Sequence, residues 1–471
     1  MGAVGAGNQV GECMIGQTQS EVARSTGATA AVVAAGRELS AAPLHDRPKA
    51  VARHCLLDWL GVALAGAAEP AAAILARESG TGAGEATLVG RRERAPASLA
   101  ALVNGTAAHA LDYDDVHLAL PGHATVPVAS AVLALGERLD APGVEVLAGI
   151  VAGVEVECRL GMLVNPSHYA RGWHATGTLG TFGAAAGCAR LLGLDDEGWG
   201  RALGLAGTQA AGVNASFGTM AKPLNAGKAA MNGLLSAVLV ADGFTSSEAV
   251  IEAPHGFAAV ATEALAPTSA LEAVSGRHLI ERTLFKYHAA CYWTHASLEA
   301  LRELRDEHEL DPSEIESVRL EVSQQALDVA DIAEPRTGLE AKFSLRALAA
   351  MVLSRVDTSD PSAFTEERVR AQELVALRDR VSARLADHDN AVGASAAIAT
   401  RDGRELSASA DLSVPASDLG EQGERLGVKF ERLAATALGH DSARALREAC
   451  EHADELGSIA ELTALATPRG G

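Results

Sequence analysis

The chain has 471 residues, 48% apolar and 21% charged, which is the balance of a globular protein and not of a disordered, collagen-like or coiled-coil chain. Lys and Arg total 39 against 60 Asp and Glu, a formal charge of -21 with no basic cluster, which suits neither nucleic acid nor a polyphosphate partner. An anionic substrate would need local positive groups to overcome this adverse field.

Aromatic residues are only 3%, so Ala, Leu and Val must fill the core. Small side chains favour helix and let helices approach closely, so a mainly helical protein is expected. Cys13, Cys55, Cys158, Cys188, Cys291 and Cys450 form no CxxC pair, which fits a reducing compartment. No signal peptide and no uncharged apolar run of membrane-span length is read, so the expectation is a cytoplasmic protein without a membrane partner.

In chain order, residues 1–27 are rich in Gly, Gln, Ser and Thr and read as a loose tail. Apolar periodicity predicts helices over 47–64, 96–111, 124–139, 143–160, 172–192, 198–213 and 226–242, with a short one over 246–252. The pattern breaks near Leu279. Val318, Leu320 and Val322 alternate with Arg319 and Glu321 as in a strand, and Asp402-Gly403 joins the alternating runs 394–400 and 405–411 as a hairpin. Helices are predicted over 341–353 and 365–375 between them, and over 427–438, 442–456 and 458–466 after them. The expected organisation is a helical part over 28–277, a smaller α+β part over 278–410, and a return to helix over 411–471.

The densest polar cluster is His109, Asp112, Asp114, Asp115 and His117 in the string NGTAAHALDYDDVH. Three carboxylates so close repel one another unless something positive answers them. A solvated helix end, a metal site and an acid/base site all remain open from these residues alone. His123 precedes a helix in PGHATVPV and could be an ordinary cap-region residue. His174 stands before Gly177, Gly180 and Gly183, whose spacing is not the dinucleotide fingerprint and fits close helix packing better. Lys222 precedes Pro223, which biases it towards an extended backbone. Gly227-Lys228 lacks the first glycine of a phosphate loop, and no serine sits in a GxSxG elbow. In FKYHAACYWTHA, Lys286, Tyr287, Cys291 and His295 cluster, and Cys291 and His295 would share a face if the stretch is helical. A zinc site would want two further ligands, and no convincing pair is present.

Together these strings, with MAKPLNAGKAAMNGLLSAVLVADGFT and AKFSLRALA, give the chain a resemblance to the MmgE/PrpD family over residues ~30–465. That family includes 2-methylcitrate dehydratase, cis-aconitate decarboxylase and iminodisuccinate epimerase. The resemblance implies a large all-helical domain built from both chain ends, a smaller α+β lid domain, a homodimer, and an interdomain cleft that uses no metal or organic cofactor. It carries catalytic roles onto Asp112, His123, His174 and Lys222, and substrate contact onto His117, Lys286, Tyr287, Cys291 and His295. Val116 and Cys291 depart from the decarboxylases, which carry Thr and His there.

The chemistry implied is proton abstraction next to a carboxylate of a small di- or tricarboxylate, as in a dehydratase. Decarboxylation, epimerisation, isomerisation and an inactive metabolite-binding fold are the alternatives. The resulting oxyanion needs preorganised positive groups, and a base and an acid must move protons. His174 or Asp112 is expected as base, His123 as acid and Lys222 as carboxylate anchor.

Overall fold

Helices rich in Ala and Gly can pack backbone against backbone, and that is how this chain builds its core. The computed structural model describes residues 27–80, 82–387 and 390–468, so the tail expected over 1–27 falls, but for Gly27, outside the described residues. Helices Ala97–Ala110, Thr125–Leu139, Gly143–Val164, Ala175–Leu191 and Ala221–Ala241 pack on one another, and many of their residues are buried on every side. One close approach joins Ala97–Ala110 to Ala221–Ala241. A Cβ on Gly227 would lie 2.3 Å from the Leu102 carbonyl oxygen, so only glycine permits this contact. Gly180 and Gly183 likewise face Pro127 and Glu157 at distances that no Cβ would tolerate, in keeping with the packing role read from their spacing.

The sheet has four strands in the order Val381–Leu385, Ile315–Val322, Gly393–Thr400, Glu405–Asp411. The first pair is parallel and the others antiparallel. Val318, Leu320 and Val322 turn to the core, as their alternation predicts. The hairpin turn places Gly403 at φ 88°. Helices His295–Glu307 and Leu345–Leu353 cover the sheet's region, and Leu419–Leu438 returns to pack on Asp46–Gly66. The architecture is therefore mainly α with a smaller α+β region.

Several local expectations are corrected. Residues 246–252 form turns, not a helix. The helix expected to 213 ends at Gln209. The stretch 341–353 is broken where Ser344 caps a new helix by accepting from the Ala347 amide. Likewise, 365–375 splits into Glu366–Val369 and Gln372–Arg378. Lys222 is not extended: it sits in the first turn of Ala221–Ala241. Pro223 is tolerated there because amides in the first turn have no helical partner to lose. Cys291 caps a short 3-10 turn and His295 opens the next helix, so the two do not share a helix face. Ala221–Ala241 reaches the length and apolarity of a membrane span, and half of its most apolar stretch is buried in the fold.

Candidate active site

Helix Ala97–Ala110 ends at Leu111, and the chain turns sharply through Asp112, which adopts the left-handed conformation at φ 51°. This is uncommon for a residue with a Cβ, and Asp is among those that tolerate it. The turn separates the three crowded carboxylates. Asp112 meets two lysines, Asp114 two histidines and Asp115 a threonine, with His123 shared by the first two, and all three are buried, which excludes a solvated helix end.

Asp112 Oδ1 contacts Lys222 Nζ directly and lies 3.3 Å from Lys286 Nζ. Burial opposes its ionisation, but the two ammonium groups, with His123 and His109, hold its carboxyl well below the usual range. Asp114 Oδ2 lies 2.8 Å from His109 Nδ1 and 3.0 Å from His123 Nδ1. Burial again works against the charge, and the two rings overcome it. Asp115 accepts from the Thr125 amide at 3.3 Å and from its hydroxyl. Burial, and then Asp58, push its carboxyl up to about 7.

His123 thus stands between two carboxylates, with Nε2 3.5 Å from Asp112 Oδ1. Nδ1 lies 3.0 Å from the Asp114 carboxylate, nearer than Nε2 lies to Asp112, which favours the tautomer with the proton on Nδ1 and the lone pair on Nε2. Burial is the largest influence on this ring and lowers its pKa to about 4. His174 caps the helix Ala175–Leu191. The amide nitrogen of Asn225 lies 3.2 Å from its Nδ1, which must therefore accept, leaving the proton on Nε2. Burial, followed by the positive field of His109 and Lys222, keeps this imidazole neutral. Asn225 and Lys222 are three residues apart on one helix and so share a face.

Asp112, His123, His174 and Lys222 line a cavity of about 40 Å³ together with Tyr169, Phe217, Cys291 and Phe343. The rings of Phe217 and Phe343 lie 5.1 and 4.8 Å from Lys222 Nζ and shield it from solvent.

Asp112, His123, His174, Lys222 and Cys291 therefore converge on one cavity, with Lys286 directly behind Asp112. His117 lines the rim, but its Nε2 faces the Leu279 carbonyl at 2.9 Å and its Nδ1 accepts from the Ala119 amide at 3.1 Å. Both of its ring nitrogens thus already have backbone partners. Tyr287 and His295 do not line this cavity. They line a second one of about 470 Å³, where Arg425 stacks 3.9 Å over the Tyr287 ring. His295 Nε2 there meets the Ala290 carbonyl at 3.2 Å. Sequence reasoning did not single out Asn225, Phe217 or Phe343. Asn225 carried a signal, since it shares a helical face with Lys222.

His109, Asp112, Asp114 and His123 bring ligand-type atoms within 4.8 Å of one another, a set that could share a cation. Lys222 and Lys286 already supply fixed positive charge to Asp112 in that set. A divalent ion would meet their repulsion, so the donor set does not fit a resident metal.

The MmgE/PrpD N-terminal domain profile matches residues 29–268, and the MmgE/PrpD C-terminal domain profile matches residues 288–455. A cis-aconitate decarboxylase-like protein of Aspergillus oryzae is 29% identical over 272 residues, covering 54% of this chain and 56% of that protein. The cis-aconitate decarboxylase of Aspergillus terreus is 30% identical over 270 residues, 54% and 55% of the two chains. The human cis-aconitate decarboxylase is 34% identical over 170 residues, 35% of each. At best, then, the similarity spans about half the length of these curated relatives. The two profiles together span most of the sequence and bracket every residue of the cavity, and the chain belongs to the MmgE/PrpD family.

Proposed function

We propose that this chain is a lyase that moves one proton at the carbon next to a carboxylate of a small di- or tricarboxylate. The observation that carries this reading is the pair of oppositely poised histidines beside a buried lysine. His123 presents a lone pair on Nε2, His174 a proton on Nε2, and Lys222 a cation held in place by Asp112.

In this reading a substrate carboxylate is drawn to Lys222, whose ammonium also spreads the charge that develops when the neighbouring carbon becomes a carbanion. His123 Nε2 removes the C–H proton. The imidazolium so formed lies between Asp112 and Asp114, and both carboxylates stabilise it. His174 hydrogen-bonds the leaving hydroxyl through Nε2–H, and the proton that completes the departing water comes back from the His123 imidazolium, so both rings end neutral while the double bond forms. This reading exchanges the roles expected from sequence, with His123 as base and His174 as hydrogen-bond donor to the leaving group. Asp112 is a poor base because two ammonium groups hold its charge.

Decarboxylation is the second reading, favoured by the names of the similar proteins. There the carbon–carboxylate bond breaks, carbon dioxide leaves, and a histidine protonates the carbanion. The same groups serve either outcome. The cavity holds about three waters in this conformation, so a tricarboxylate requires its rim to part.

Incubation with citrate, 2-methylcitrate and cis-aconitate, followed by NMR, separates the two. A new carbon–carbon double bond formed from citrate or 2-methylcitrate without release of carbon dioxide supports dehydration, and release of carbon dioxide from cis-aconitate supports decarboxylation. Unchanged substrates across such a panel would contradict the proposal.

A further inference from the structure

Three consecutive backbone carbonyls at the Asp112 turn each accept from a different buried lysine. Lys342 Nζ donates to the Leu111 carbonyl, Lys286 Nζ to the Asp112 carbonyl at 2.6 Å, and Lys429 Nζ to the Tyr113 carbonyl at 2.7 Å. The lysines come from separate stretches: one from the loop before helix His295–Glu307, one from the stretch just before helix Leu345–Leu353, and one from helix Leu419–Leu438. All three are buried, so each ammonium was taken out of water to make these bonds.

These carbonyls lie just past the C-terminus of helix Ala97–Ala110, where helical partners run out and the dipole is negative. Between the first and second carbonyl sits the left-handed Asp112. Fixing the peptide planes on both sides fixes where its side chain leaves the backbone. Lys429 also bonds Asp58 at 2.6 Å, which gives it a second duty. Lys342 meets no carboxylate at bonding distance among the described residues, and the Leu111 carbonyl is its hydrogen-bond acceptor.

We propose that Lys342 and Lys429 are positioning residues: with Lys286 they form a three-lysine clamp on the 111–113 backbone that aims Asp112 between Lys222 and Lys286. Lys342 and Lys429 do not line the cavity and act through Asp112. The clamp also makes the site depend on chain stretches more than 170 residues from the turn. Burial lowers the Lys342 ammonium to about 8, with Asp112 opposing the shift, so the clamp carries its own alkaline limit.

The inference rests on the lyase reading for its kinetic test and on the turn alone for its structural one. Lys342→Met should lower kcat about tenfold or more with KM changed by less than about threefold, and Lys342→Arg should restore it and move any alkaline limb upward. In an Asp112→Asn background Lys342→Met should change kcat by less than about twofold, because its target is already gone. An equal loss in both backgrounds, or none in the wild type, overturns the clamp. A crystal structure of Lys342→Met gives the answer without activity. Departure of Asp112 from positive φ and separation from Lys222 supports the clamp, and an unmoved Asp112 overturns it. If the wild-type protein transforms no acid while this structure shows the turn released, the lyase reading fails and the clamp stands.

Discussion

Lys222 and Asp112, 110 residues apart in sequence, meet as a direct buried ion pair in the wall of the cavity. A charge pair this deep is weak evidence for stability, because desolvation offsets much of the attraction. Its value lies in holding a cation where an anionic substrate can share it. Lys222→Met should therefore lower kcat/KM by about a hundredfold or more, as loss of a preorganised charge does elsewhere. Steady-state kinetics on the accepted acid checks this, and near-wild-type turnover would remove Lys222 from the chemistry.

How far the sequence carried this picture depended on whether a residue's partner was local. The helices with continuous Ala and Leu periodicity and the Asp402-Gly403 hairpin were legible because their signals are short-range. The convergence of Asp112, His123, His174 and Lys222 was implied by resemblance and not by spacing, since their contacts span up to 110 residues. The failures have the same cause. Pro223 argued locally for an extended Lys222, yet the first turn of a helix accepts both residues. His117 bonds the Ala119 amide two residues on and the distant Leu279 carbonyl, and the second bond has no local signal in the sequence. The proton positions on His123 and His174 depend on Asp114 and Asn225, so the acid and base could not be told apart before those neighbours were placed.

Asn225 offers a test of tautomer control. Its amide nitrogen holds Nδ1 of His174 as an acceptor. Asn225→Asp presents an acceptor instead and favours the opposite tautomer, moving the proton away from Nε2. Turnover should fall about a hundredfold or more, whereas Asn225→Leu, which merely releases the ring, should fall by about tenfold. Comparing the two kcat values checks the order, and an aspartate variant more active than the leucine variant would contradict it.

Substrate binding should take up protons. Asp112 is answered by Lys222 and Lys286, Asp114 sits between the His109 and His123 rings, and His123 and His174 are neutral, so an arriving carboxylate adds negative charge beside rings that can take up protons. It raises the pKa of His123 and His174 and recruits protons to them. Affinity should weaken as pH rises above neutrality. Calorimetry in buffers of different ionisation enthalpy measures the proton count directly, and a count of zero with pH-independent affinity would refute it.

Acid should unfold the protein early. Burial lowers His117 and His123 from 6.5 to about 4, and holds His174 and His295 well below the ordinary imidazole value. The unfolded chain binds those protons first, so their contribution is complete above about 6.5 and is lost as pH falls towards about 4. Asp58, Asp115 and Glu157, whose carboxyls burial raises, act in the opposite sense and flatten the loss. His54 and His168, also lowered to about 4, add to the histidine side. Denaturant midpoints should decline between pH 6.5 and 4, and an NMR titration in which these rings of the folded protein protonate near 6.5 would show that they are not buried neutral.

The central claim is that His123 moves the proton, and deuterium exchange in heavy water reads it most directly. The wild-type protein should place deuterium on the carbon next to the substrate carboxylate, and His123→Asn should abolish the label while still binding the acid. Labelling at the wild-type rate in His123→Asn would contradict the account.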